Sequence, residues 1–241
     1  MNPLSNELEL MAIAVALYLY DCTVLLYSNE GMLVACGGGW RADFGFREFL
    51  VLGRALSVLN PLTPHRPAYR LRWTMQTYGA AMAGGGWELP LGHRRALAAF
   101  AASAAAGLFV LLPYGLFVGE AVWPVVAALV VLYGSIGTAL GLVQRQRQAA
   151  GLSRRQFAGL AFECLACPPF GINLVRRIAM SKAVAEPLPH AAARLLDAAG
   201  AGEVLRRCED WLGAEAPRDP IAAACHDRLR EELRDLRRPS A

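Results

Sequence analysis

Lysine is almost missing from this chain. Lys182 is the only one in 241 residues, so arginine carries nearly all the positive charge. That bias reads as coding rather than mechanism. The net charge of +4 is too small to mark a nucleic-acid binder. Histidine is scarce too: His65, His93, His190 and His226 stand far apart, none with a partner at metal-ligand spacing. There is no Gly-x-Ser-x-Gly elbow and no His-Glu-x-x-His pair, which excludes those hydrolase and zinc-peptidase signatures. The glycine triplets Gly37-Gly38-Gly39 and Gly84-Gly85-Gly86 precede Trp40 and Trp87, without the Gly-Lys-Ser/Thr of a phosphate loop. A signal peptide is not expected, because Glu7 and Glu9 occupy the place of a basic region. Asn2 and the absence of a C-terminal cysteine box argue against lipid modification.

Charge is absent from one long stretch, and the chain is organised around it. From Ala96 to Val118 the only polar side chains are Ser103 and Tyr114. A second run, from Trp123 and Pro124 to Val143, ends at Gln144, Arg145, Gln146 and Arg147. Crossing the hydrocarbon core takes about 20 apolar residues, and lipid offers no partner to a free peptide N–H. The two runs therefore predict a transmembrane helical hairpin over 96–143, turning at Gly119-Glu120-Ala121. Pro113 is placed to kink the first helix. Ser103 with Gly107, and Gly137 with Gly141, are four apart, a spacing that lets helix backbones approach.

Residues 1–27 predict an N-terminal membrane helix. Leu10 to Tyr20 is too short to span; extension through Asp21 to Tyr27 gives the length but sets a carboxylate inside. Asp21 is then an intramembrane ionisable candidate. The competing reading ends the helix near Asp21 and makes strands of Thr23–Tyr27 and Met32–Cys36 around Ser28-Asn29-Glu30-Gly31. Arginines cluster in 28–95 and again at Arg145, Arg147, Arg154 and Arg155, while the hairpin tip has only Glu120. The positive-inside rule puts the long loop and the tail in the cytoplasm.

Residues 28–95 read as a small β-rich loop subdomain, with short apolar runs such as Phe49-Leu50-Val51-Leu52. The run Asn60 to Pro67 is a proline-rich connection between strands. Arg70, Arg72 and Trp73, with Arg154 and Arg155, form the expected lipid or partner surface. Residues 144–182 predict juxtamembrane, interfacial helices. Ser153 caps the first, which stops at Pro168-Pro169; Ile172, Val175 and Ile178 face the core of the next, with Arg176 and Arg177 elsewhere. Residues 183–241 predict a helical tail: one helix near His190–Leu212, broken at Gly200-Ala201-Gly202, and one opening at Asp219-Pro220. On the latter, Asp227–Arg230, Glu231–Arg234 and Asp235–Arg238 pair acid with base.

The one compact reactive pair is Cys164 and Cys167. It follows a helix instead of opening one, and no second pair stands at zinc-finger spacing. Packing as small apolar residues is the commoner fate of such cysteines. Zinc is the metal the pair would take; otherwise no cofactor is expected. The fold class expected is a mainly α integral membrane protein with a hairpin, an N-terminal membrane helix, a β-rich cytoplasmic loop and a helical cytoplasmic tail. The expected role is a non-enzymatic accessory, scaffold or assembly component of the inner membrane. Its partners are the lipid bilayer and a protein partner or a second copy, not nucleic acid. The alternative is a membrane enzyme or redox or metal protein using Cys164 and Cys167.

Overall fold

The computed structural model describes residues 3–73, 93–118, 121–181 and 186–214, with a few positions between 227 and 235. Gly84–Trp87, Glu120, Asp219-Pro220, Cys225 and His226 lie outside the described residues. The chain forms two compact units, each built from segments distant in sequence.

The first unit comprises Met1–Thr23, Leu59–Pro67 and Glu88–Ser181, and its described elements are helical. Helix α1 covers Pro3–Asp21. It stops at Asp21, so the extension to Tyr27 does not occur, and Thr23–Leu26 is strand β1. The stop has local causes. A carboxylate at a helix C-terminus opposes the macrodipole, and Thr23 Oγ1 donates to the Tyr20 carbonyl at 2.7 Å.

Both apolar runs are helical, and the two arms pack on each other. The first arm runs through α2 (Arg94–Ala106), a π-helical turn (Gly107–Leu111) and α3 (Leu112–Phe117); the second is α4 (Trp123–Arg145). The π turn sits immediately before Pro113, which has no N–H and crowds the carbonyl four residues back. Widening the helix there lets the Leu112 N–H donate to Gly107 O instead. Two stretches, Arg95–Phe117 and Trp123–Arg145, are each 23 residues and apolar enough to cross a membrane, and only 28 % of the most apolar window of each is buried.

Three more helices follow: α5 (Arg154–Ala166) and α6 (Pro168–Ile172), which pack against the hairpin, and α7 (Leu174–Ser181). Ser153 and Gln156 form the capping box at the start of α5, with Gln156 N–H donating to Ser153 Oγ at 3.2 Å. Pro168 and Pro169 end α5 and open α6. Ile172, Val175 and Ile178 are buried as the spacing requires, and Arg176 is buried with them, against expectation.

The second unit comprises Val24–Val58, Ala68–Trp87 and Lys182–Ala241. Its six strands are β1, β2 (Glu30–Ala35), β3 (Trp40–Asp43), β4 (Phe46–Val51), β5 (Arg54–Val58) and β6 (Ala68–Arg72). They make two three-stranded sheets, ordered β1-β5-β4 and β3-β2-β6. Strands β1 and β2 exist where the sequence allowed them, yet they belong to different sheets and do not pair. Helices α8 (Leu188–Leu195) and α9 (Ala198–Ala214) pack on β2 and β3. The break between them falls at Leu196-Asp197, and Gly200 to Gly202 are helical, a correction to the expected break. Asp197 Oδ1 accepts from Gly200 N–H at 2.7 Å and starts α9 as an N-cap would. Gly31 admits Leu188 so closely that a Cβ there would stand 2.6 Å from Leu188 Cδ2. Trp73 is the centre of this core, edge-on to Trp211 with ring centres 5.6 Å apart and near Phe44 at 6.1 Å.

Candidate functional site

The most concentrated polar chemistry among the described residues lies in the helical unit, where α1 ends. Arg176 on α7 has no exposed surface. One terminal nitrogen donates to the Asn60 carbonyl at 2.6 Å and the Thr63 carbonyl at 2.7 Å. The other donates to Asn173 Oδ1 at 3.3 Å and toward Cys22 Sγ at 3.7 Å. Asn173 Nδ2 also donates to Cys22 Sγ, at 3.5 Å. The Tyr18 hydroxyl closes the same region by donating to the Pro61 carbonyl. Proline explains part of this geometry. Pro61 and Pro64 interrupt any ladder, so the carbonyls of the 59–67 segment turn inward and need donors. A planar guanidinium spreads its donors over a rigid fork and so reaches acceptors in different directions, where an ammonium donates from a single point.

Next to it, Arg177 donates to Asp21 Oδ1 at 2.6 Å and to the Glu163 carboxylate, and its guanidinium carbon lies 4.6 Å from the centre of the Phe170 ring. Asp21 is therefore half of an ion pair at a helix end, with only 11 % of its side chain exposed. Together the two arginines tie α1, the 59–67 segment, α5 and α7 into one body.

The cysteine pair lies close by and differs in burial. Cys164 is buried, and burial pushes its thiol up to about 12. Cys167 is half-buried and raised as well, burial again being the main cause. Burial of this kind disfavours the free thiolate, the form that acts as a nucleophile. Among the described residues, no three of His, Cys, Asp and Glu converge as a metal cage.

The expected lipid or partner surface is divided by the structure. Trp73 is fully buried, a correction: it is core and cannot meet a bilayer. Arg70 and Arg72 hold Glu30, through Arg70 Nε at 2.7 Å and Arg72 Nε at 3.1 Å. Glu30 is itself buried and accepts from Tyr27 N–H at 3.1 Å. The register Glu30↔Arg72 and Met32↔Arg70 places both arginines across from the β2 start, so they clasp β6 to β2. Arg154 and Arg155 are exposed.

Of the small residues proposed for helix contact, Gly107 lies in the hairpin seam, where a Cβ would meet Leu132 N at 3.2 Å. Ser103 is exposed, and Gly137 and Gly141 face open space. The tighter approach is at Gly115, where a Cβ would stand 2.9 Å from Val125 N and which the four-residue spacing did not single out. Sequence reasoning also missed Arg176. Its only signal was a place three residues from Asn173 in a helix otherwise apolar on that side.

Comparison with known proteins gives no match: no family model, no curated protein and no solved structure aligns with this chain.

Proposed function

We propose that the protein is a non-enzymatic, multi-pass accessory or scaffold component of the inner membrane, its hairpin anchoring a folded α/β unit on the cytoplasmic side. The observation that carries this reading is the surface of the hairpin. Val110, Leu111, Leu129 and Val130 on the two arms, and Val118 and Val122 at their tip ends, are all exposed, and the arms are free of charge for most of their length. In water such a surface is far larger than a soluble monomer leaves uncovered; in hydrocarbon it is ordinary.

Two further features support the orientation. Arg94 and Arg95 open one arm, and Arg145 with Arg147 close the other, so both helix ends at the base carry positive charge. The α/β unit is assembled from segments before and after the hairpin. A hairpin that enters and leaves on one side lets such a unit fold from both. Helix α1, also apolar on its exposed Leu8, Leu10, Ile13 and Leu19, packs on α3 and α6 and joins the anchor without the length first expected of it. The polar cluster at Arg176 and Arg177 acts as its brace. The ion pair at Asp21 and the raised thiol of Cys164 lend no support to proton handling or thiol chemistry at those residues.

Cys36 is exposed and offers a test. With Cys167 and Cys225 replaced by serine, a membrane-impermeant maleimide should label Cys36 in inside-out vesicles and leave it unlabelled in right-side-out ones, with the protein retained in membranes after alkaline carbonate washing. Release by carbonate rejects the anchor. Labelling from outside rejects the orientation. Purification in mild detergent followed by mass spectrometry should then recover a stoichiometric protein partner; a lone monomer with a measurable turnover of its own would sink the accessory role.

A further inference from the structure

The β4–β5 hairpin of the α/β unit carries apolar side chains that the core of that unit does not bury. Phe49, Leu50, Val51 and Leu52 are consecutive and all exposed, Leu52 at 91 %. Neighbouring strand residues point to opposite faces. Apolar side chains therefore stand out from both faces of this ribbon and from its tip. β4 is also an edge of its sheet, and its register against β5 is irregular between Phe46 and Leu50.

The tip itself is strained. Leu52 and Gly53 form a two-residue turn with φ of 53° and 74°. Turns of this hand take Asn, Asp or Gly at the first position, since a larger side chain crowds the backbone there. Leu52 is the only non-glycine residue with positive φ among the described residues. A leucine held in a strained conformation and almost wholly exposed contributes nothing to the fold that holds it.

Behind the tip comes an aromatic and cationic collar. Arg54 stacks on Tyr27 with its guanidinium carbon 4.1 Å from the ring centre, and Arg70 approaches the same ring at 5.6 Å. Glu48 is exposed on β4, set back from the tip.

We propose that this hairpin dips into an anionic lipid surface, Leu52 foremost, with Tyr27 and Arg54 at headgroup level. This rests on the membrane anchor proposed above and adds a second, shallow contact made by the α/β unit. Both-sided exposure favours lipid over a folded partner. A fluid apolar medium surrounds a ribbon, whereas a protein face covers one side of it. Tyrosine belongs at the interface, and guanidinium groups match phosphate headgroups.

The test uses the full chain bearing Leu52→Cys, with Cys36→Ser, Cys167→Ser and Cys225→Ser, labelled with an environment-sensitive dye. It is reconstituted into phosphatidylcholine vesicles with and without phosphatidylglycerol. The dye should shift to the blue, be quenched by lipids spin-labelled high on the acyl chain, and be shielded several-fold from aqueous iodide, more so with the anionic lipid. Vesicle-bound protein whose dye stays open to iodide and blind to the spin labels overturns the hairpin proposal and leaves the anchor standing. Dye–dye contact between copies overturns it in favour of edge-to-edge pairing of β4. Protein that fails to float with the vesicles overturns both. A second variant, Leu52→Asn with the dye on Val51→Cys, should melt at a higher temperature in detergent while losing most of the lipid quenching. A lower melting temperature would show that Leu52 packs within the fold and would end the proposal.

Discussion

Two carbonyls of the 59–67 segment, those of Asn60 and Thr63, accept from the same nitrogen of Arg176. Removing that donor strands both acceptors, together with Asn173 Oδ1, away from water. Arg176→Met should destabilise the helical unit by about 3 kcal/mol, the cost of losing charge-assisted bonds to buried groups. Arg176→Lys should recover less than half, since a single ammonium cannot reproduce the fork. Thermal unfolding in detergent checks both; an Arg176→Met variant as stable as the parent would show that the cluster braces nothing. His65 belongs to the same segment. Burial, helped by Arg66 and Arg176, holds it below its ordinary 6.5. As pH falls, the unfolded chain therefore binds the proton first, and stability drops once pH passes below 6.5, levelling off when the folded imidazole is also protonated. The melting temperature should decline between pH 7.5 and 5.5, and His65→Gln should remove that part of the decline.

Elements meet in this protein where glycine lets backbone approach backbone. A Cβ at Gly115 would stand 2.9 Å from Val125 N, and backbone cannot yield as a side chain tip can. Gly115→Leu should cost about 1–3 kcal/mol by overpacking the hairpin seam. Gly137→Leu points into open space and should change stability by less than about 0.5 kcal/mol. Parallel melts of the two variants decide the matter, and the reverse ranking would mean that a second copy packs on the Gly137 face. The π turn is the other device at this scale. It accommodates Pro113 without ending the helix, so the arm keeps its length from Arg94 to Phe117.

At the scale of the whole chain, neither compact unit is a continuous stretch. The α/β unit takes its sheets from residues before the hairpin and α8 and α9 from residues after it. A chain ended at Ser181 would lose Leu188 from Gly31 and Trp211 from Trp73. That truncation should expose Trp73, shift tryptophan emission to the red and make residues 24–58 sensitive to protease, while the apolar hairpin remains in the membrane fraction. Unchanged protease resistance would show that the two sheets stand without the tail.

What the sequence determined by itself is what depends on neighbours along the chain. The apolar hairpin needs only length and the absence of charge, and its arms at Arg94–Phe117 and Trp123–Arg145 follow the runs closely. The Ser153–Gln156 box is equally local. Strands flanking the turn at Ser28 to Gly31 were legible only as the competing reading, and the second begins at Glu30, inside the expected turn, two residues before the expected Met32. Pairing was not legible, because β1 finds its partner in β5 and β2 in both β3 and β6, and register is a property of the sheet. The fates of single side chains were decided only by the tertiary structure. Arg176 looks like a surface residue until Asn60 and Thr63 turn their carbonyls toward it. Trp73 looks like an interfacial aromatic until Trp211, over a hundred residues away, covers it. Asp21 looks like a lone intramembrane carboxylate until Arg177 reaches it. Burial and ion pairing are contacts between distant segments, and one linear sequence states them nowhere.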